Sequence, residues 1–313
     1  MVLLRKLNYY AYFNKESLRV LLFLFYKMGG FLSCYLPSFL SYWIAERLAD
    51  FFFFFARGKY IGYKRAILNN IALILDKRKR ERKNRKIALL IYRNFARYLR
   101  EFLWLPKLST SRFFRQVTPV GVENLDYALS KRKGTVLLSI HFGNWEWGGI
   151  GLALAGYKMN FLVRPHKNAF TNRLFNEIRS AKKIKVISIN QLKQVIKALK
   201  RNEVVAILAD EENKEGVKVD LFNQKVMLAS GPFKLAYRMK ALISPAFMIR
   251  DRKTGKQKGV VESPIEVNTH LSQEEAVRQA AQKFARVMED YLRYYPDHWL
   301  LLEDKKKIDI TNG

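Results

Sequence analysis

Cysteine is nearly absent from this chain of 313 residues: Cys34 stands alone, which excludes an intramolecular disulfide and any metal cluster built on several thiolates. Proline, with 8 residues, and glycine, with 16, are too few for a collagen-like or low-complexity chain. Carboxylates are scarce beside cations. With 27 Asp and Glu against 57 Lys and Arg, the formal charge is +30, which favours anionic partners: nucleic acid, lipid headgroups or acidic proteins. Three chemical signatures are missing as well. There is no Gly-rich phosphate loop, no Gly-x-Ser-x-Gly elbow and no His-Glu-x-x-His helix, so nucleotide cofactors, serine hydrolysis and zinc proteolysis lose their usual marks. What is plentiful is apolar: 49% of the residues, 14% aromatic, enough for a packed core and too much for a disordered chain.

Long apolar runs are also in short supply. Met28 to Ala45 is uncharged over about 18 residues, only just the length that spans hydrocarbon. Gly29, Gly30 and Pro37 interrupt it, and Lys27, Glu46, Arg47 and Asp50 separate it from the short blocks Val20–Tyr26 and Phe51–Phe55. The pattern predicts two or three amphipathic helical pieces, with a single span or a buried hairpin as the alternatives. Five consecutive phenylalanines cannot share one helix face, and a membrane interface accepts the outward ones. The basic run Lys77–Lys86 follows, in the order expected of a segment lying against an anionic membrane, although a solvated helix face has the same composition. No small-residue site closes the apolar run, so a cleavable signal peptide is not expected.

Downstream, Ile87 to Leu105 has the periodicity of an amphipathic helix. Short β-rich runs then alternate with helical segments: strands at Thr135–Ile140, Phe161–Val163, Lys185–Ile189 and Val204–Leu208, and helices near Trp145–Ala155, Phe170–Lys182 and Leu192–Lys200. Such alternation predicts a central sheet with helices on both faces, in which ligands bind beyond the carboxyl ends of the strands. The expected organisation is an N-terminal membrane-associated or transmembrane helical region over 1–56, a basic linker with amphipathic helices over 57–110, and an α/β domain over 111–313. Ser272-Gln273-Glu274-Glu275 reads as a capping box opening a last helix, stopped by Pro296.

The strand-end rule selects His141-Phe142-Gly143-Asn144-Trp145-Glu146, Arg164-Pro165-His166 and Asp210-Glu211-Glu212. If the strands are parallel and adjacent, a histidine, an arginine and an acidic group converge on one rim. Gly143 or Asn144 can cap a helix beginning at Trp145, leaving His141 in the turn and Glu146 in the first helical turn, where the two side chains can touch. A carboxylate on one imidazole nitrogen makes the other nitrogen a base, as in a catalytic triad. No Ser or Cys nucleophile is nearby, so the hydroxyl to be activated belongs to a substrate. A strand-end histidine bonded to a local acid for stability is the other reading.

The string His141-Phe142-Gly143-Asn144-Trp145-Glu146 resembles the His-x4-Asp/Glu motif of glycerolipid acyltransferases, in the Glu form of the bacterial lipid A biosynthesis (lauroyl and myristoyl) acyltransferases. Arg164-Pro165 with Asn168, Arg179, Asp210, Gly231 and Pro296-Asp297-His298-Trp299 resemble the family's other blocks, so the likeness runs from about residue 15 to 303. Ala169 in place of proline, Glu211 after Asp210, and Leu221-Phe222-Asn223 depart from the pattern. The resemblance implies a glycerolipid-acyltransferase-like α/β fold, a mixed central sheet flanked by helices behind a membrane-associated N-terminus. It implies transfer of an acyl chain from acyl-acyl carrier protein to a hydroxyl of a lipid A precursor at the cytoplasmic face of the inner membrane. A lysophospholipid, aminolipid or other glycolipid is the alternative acceptor, and a basic nucleic-acid-binding protein the alternative class. By the same resemblance His141 is the base, Glu146 its orienting partner and Arg179 a donor to the oxyanion. Arg164, Asp210 and Asn144 are substrate-binding, with Asp210 alternatively paired with Arg179, and no cofactor, metal or nucleic acid is required.

Overall fold

The computed structural model describes residues 2–55, 59–75, 81–211 and 216–302. The basic residues Lys77 to Arg80 and Glu212 lie outside them.

Four helices come first: α1 (Val2–Tyr35), α2 (Ser38–Phe55), α3 (Lys59–Ile74) and α4 (Glu81–Trp104). Pro37 lacks an amide hydrogen and separates α1 from α2. The uncharged stretch from Met28 is therefore two helix ends, which corrects the single-span alternative. Among the described residues no helix is long and apolar enough to cross a membrane. Much of the apolar surface on α1 and α2 nonetheless faces outward, as at Phe31, Phe39, Trp43, Phe51 and Phe55. The inward face of α2 docks on α4 through three rungs at four-residue spacing on antiparallel helices: Asp50 with Arg93 (2.6 Å), Glu46 with Arg97 (2.8 Å) and Tyr42 with Glu101 (2.7 Å).

A short 3-10 turn (Leu105–Lys107) and α5 (Thr110–Gln116) lead into the α/β body. Its elements are β1 (Val117–Val120), α6 (Val122–Ser130), β2 (Thr135–Ser139), α7 (Trp145–Leu154), β3 (Met159–Val163), α8 (Ala169–Ser180), β4 (Lys185–Ser188), α9 (Leu192–Lys200) and β5 (Val204–Leu208). A hairpin, β6 (Gly216–Leu221) and β7 (Gln224–Ala229), precedes α10 (Gly231–Met239), β8 (Leu242–Arg250), β9 (Gln257–Val261) and α11 (Gln273–Tyr294). Ser272 caps α11 and accepts from the amide of Glu275, the first half of a capping box.

The sheet has seven strands in the order β1-β9-β8-β2-β5-β3-β4, parallel in every pair except the antiparallel β8 and β9. One face carries α9, α10 and α11 over a core that includes Val205, Phe233, Phe247 and Phe284. The other carries α5, α7 and α8 over Phe102, Phe113, Trp147 and Phe175. The strands predicted at Thr135, Phe161, Lys185 and Val204 are present, the last with the expected ends and the others with one end shifted by one or two residues. Three glycines within α7 would each cost a free helix about 1 kcal/mol relative to alanine. Here they admit close neighbours: a Cβ on Gly149 would fall 2.3 Å from the Phe161 ring, and one on Gly148 would fall 3.0 Å from Met248.

Candidate active site

β2 and β5 run parallel with Ser139 opposite Leu208, so the residues two positions beyond each strand, His141 and Asp210, stand side by side. Asp210 is fully buried and accepts from the His141 ring Nδ1 (2.8 Å), the His141 amide (3.0 Å) and the Trp299 indole (2.9 Å). Burial alone would raise its carboxyl. The neighbouring imidazole and these hydrogen bonds outweigh burial and hold the pKa below the usual carboxylate range. With Nδ1 engaged by an ionised carboxylate, the Nε2 lone pair faces the adjoining cavity as an acceptor. The ring rests edge-on against Trp145, centroids 4.9 Å apart.

The turn that carries His141 is fixed on both sides. Gly143 has φ +58°, and a Cβ there would lie 2.0 Å from the Met248 carbonyl oxygen, so only glycine fits. Its amide donates to the His298 carbonyl, and the Leu300 amide donates to the His141 carbonyl. Asn144 caps α7, its Oδ1 accepting from the Trp147 amide (3.0 Å).

Glu146 points elsewhere. From the first turn of α7 its carboxylate meets Arg179 on α8, with Nη2 at 2.5 Å and Nε at 3.1 Å, both side chains buried. This corrects the expectation that Glu146 orients His141: the strand register brings Asp210 to the imidazole, and the entry of α7 turns Glu146 towards α8. It also corrects the pairing of Asp210 with Arg179. Asn176 takes Arg179 Nη1 (3.2 Å), so all three guanidinium nitrogens have protein acceptors. Burial opposes the Arg179 charge, Glu146 more than restores it, and together burial and Glu146 push the nearby Tyr98 phenol well above its ordinary range.

Asp210 and Asn144 are buried behind the cavity rather than in its wall, so neither side chain is presented to a ligand. Arg164 is 60% exposed at the mouth, 3.5 Å from Glu211, whose carboxylate lies 3.6 Å from His141 Nε2 and pairs with that nitrogen once the ring is protonated. The departure at Glu211 thus sits beside the imidazole. His166 lines the same mouth, and burial, with Arg179 nearby, lowers its pKa and favours the neutral ring.

Behind His141 opens a cavity of about 830 Å³. It runs beneath the glycine face of α7, past Leu137, Phe161 and Met248, to Val117 and Val122 beside the edge strand β1. Its walls are mainly apolar, and it lies at the upper end of the size range for small-ligand sites. A flexible hydrocarbon chain fits such a space, with its polar head at His141. Among the described residues no group of three His, Cys, Asp or Glu side chains is arranged to hold a metal.

The sequence model of the bacterial lipid A biosynthesis acyltransferases matches residues 13–307. A phosphatidylinositol mannoside acyltransferase of Mycolicibacterium smegmatis is 26% identical over 70% of this chain and 72% of its own length. One of the same name from Mycobacterium tuberculosis is 28% identical over 49% of this chain, which spans about half, 51%, of that relative's length. The lipid A biosynthesis lauroyltransferase of Escherichia coli is 27% identical over 63% of both chains.

Proposed function

This chain belongs to the bacterial lipid A biosynthesis acyltransferase family, and from that premise we propose that it moves a fatty acyl chain from a thioester donor to a hydroxyl of an anionic glycolipid. Our reading of the donor is acyl-acyl carrier protein, and of the acceptor a lipid A precursor. The observation that carries the reading is the His141–Asp210 pair at the mouth of a deep apolar cavity. The cavity takes the acyl chain, and the thioester carbonyl then lies beside the imidazole. His141 Nε2 removes the proton of the acceptor hydroxyl as its oxygen attacks the carbonyl carbon. The tetrahedral intermediate collapses with cleavage of the C–S bond, and the departing thiolate takes the proton back from His141. An ester and a free thiol result. Asp210 stabilises the imidazolium between the two transfers. The Glu146–Arg179 pair braces the cavity wall, and Arg164 at the mouth suits a phosphate of the acceptor through its planar fork.

The outward apolar face of α1 and α2 supports seating in a lipid interface, and the +30 charge suits both an anionic membrane and an acidic carrier. We place the enzyme at the cytoplasmic face of the inner membrane, where a soluble carrier meets a membrane-bound acceptor. A second acceptor class, a mannosylated phosphoinositide, is favoured by the names of the mycobacterial relatives. The test offers purified protein acyl-acyl carrier protein or acyl-coenzyme A, with a phosphorylated lipid A precursor, a phosphatidylinositol mannoside or a lysophospholipid, and weighs the products. One added acyl ester on a glycolipid, with release of free thiol, is expected. Acylation of the lysophospholipid alone would overturn the glycolipid assignment.

A further inference from the structure

Among the buried charged side chains that take no part in the acyl transfer, Glu101 is the most completely enclosed. Glu101 on α4 is fully buried, outside both the His141–Asp210 and Glu146–Arg179 pairs. Its carboxylate accepts from Arg250 Nη2 on β8 (2.6 and 2.7 Å), Gln257 on β9 (3.0 Å), the Asn144 amide nitrogen (2.7 Å) and the Tyr42 hydroxyl on α2 (2.7 Å). Arg250 already neutralises the charge. The three neutral donors add position, because each is aimed at the same buried carboxylate from a different element.

We propose that Glu101 is a positioning residue for the catalytic turn, and that Tyr42 extends this link to α2, the helix with the exposed apolar face. The inference rests on the acyl-transfer reading of the His141 site. Two observations carry it. First, Asn144 has two separate tasks. Its oxygen caps α7, which serine or aspartate would do as well, while its Nδ2 donor is required only by Glu101. Two residues separate Asn144 from His141, and the intervening Gly143 is held by its amide hydrogen bond to the His298 carbonyl, with no room for a side chain beside the Met248 carbonyl. A shift of Asn144 is therefore passed to the imidazole.

Second, the three rungs between α2 and α4 are not equivalent. Asp50–Arg93 and Glu46–Arg97 are partly exposed pairs with the acid on α2. At Tyr42–Glu101 the acid moves to α4 and is buried, and the rung continues into the active-site turn. Burial and the Glu101 charge raise the Tyr42 phenol far above neutrality, so it remains a donor. Tyr42 precedes Trp43, whose side chain faces outward. A helix seated by Trp43 and Phe39 in lipid is thus hydrogen-bonded, through one carboxylate, to the cap of the helix that follows His141.

The test uses the full chain in vesicles of phosphatidylethanolamine and phosphatidylglycerol, with the donor and acceptor that the wild type turns over. Tyr42→Phe removes only a hydroxyl. Asn144→Ser keeps the cap and removes the donor to Glu101. Each should lower kcat by about tenfold with KM nearly unchanged, because misplacement of about an ångström costs rate rather than binding, while the melting temperature falls by only a few degrees for the one lost bond to a buried carboxylate. The double variant should be no slower than the slower single one, since both cut the same path. Wild-type kcat in either single variant, multiplied effects in the double, or loss of melting temperature without loss of kcat would overturn the proposal. A wild type that transfers no acyl chain removes the function reading and this inference together, whereas an active wild type with normal variants removes this inference alone.

Discussion

Asp210→Asn is the substitution whose outcome the geometry constrains most tightly. Among the described residues, one carboxylate oxygen of Asp210 accepts hydrogen bonds from the His141 amide and the Trp299 indole, and the other accepts from His141 Nδ1. Asparagine has a single acceptor oxygen. Placing its amide nitrogen in the two-donor seat would set it against two N–H groups, so the oxygen takes that seat and the nitrogen faces Nδ1. Nδ1 must then accept, which moves the ring proton to Nε2, the nitrogen that faces the cavity. The base is blocked and the charge that steadied the imidazolium is gone. An acid-to-amide change that imposes the wrong tautomer costs on the order of 10⁴ in turnover, about 5 kcal/mol of barrier. The assay follows thiol release and ester mass at saturating donor and acceptor, with thermal unfolding in parallel. Turnover within about tenfold of wild type in a folded variant would refute the assignment of Asp210 as the partner of His141.

Other substitutions separate structure from chemistry. Glu146→Gln leaves the buried Arg179 without its counter-charge and should cost about 3–5 kcal/mol in a denaturant titration, with a smaller kinetic effect than Asp210→Asn. Replacing Phe39, Trp43 and Phe55 together by serine should weaken sedimentation with anionic vesicles by at least about tenfold, since each buried aromatic is worth roughly 2 kcal/mol; unchanged binding would remove these residues from the interface. Asp210 and Asp297 are both held below the usual carboxylate range, Asp297 by His298 and Arg252 against the opposing effect of burial. Depressed folded-state values give stability that is complete above the unfolded pKa of about 3.9 and disappears as pH falls through the folded values. The stability gap between wild type and Asp297→Asn should therefore narrow below about pH 4.

The crossover units were legible from local pattern, because apolar runs such as Val204–Leu208 and the amphipathic α9 carry their own periodicity. So was the turn around His141, since the strand end and the Asn144 cap are local signals. The identity of the histidine's partner was not. Glu146 is five residues away in sequence, Asp210 is sixty-nine, and only the β2–β5 register shows which reaches the ring. The edge strand β1, its neighbours β9 and β8, and the hairpin of β6 and β7 have no such local mark; β1 holds Pro119, and their pairing is set by distant partners. Glu101 does carry a local signal. Asn94, Tyr98, Glu101 and Leu105 fall on one buried stripe at helical spacing, where a carboxylate demands donors. The complementary spacing of residues 42, 46 and 50 against 93, 97 and 101 would have marked α2 and α4 as an antiparallel pair.

The most direct test of the account compares wild type with His141→Ala on one thioester donor and one phosphorylated glycolipid acceptor, reading ester product by mass and unfolding by melting temperature. The account predicts one ester per thiol released by the wild type, and a variant that melts normally while its turnover falls about 10² to 10⁴ fold. A His141→Ala protein that still forms the ester at the wild-type rate would contradict it.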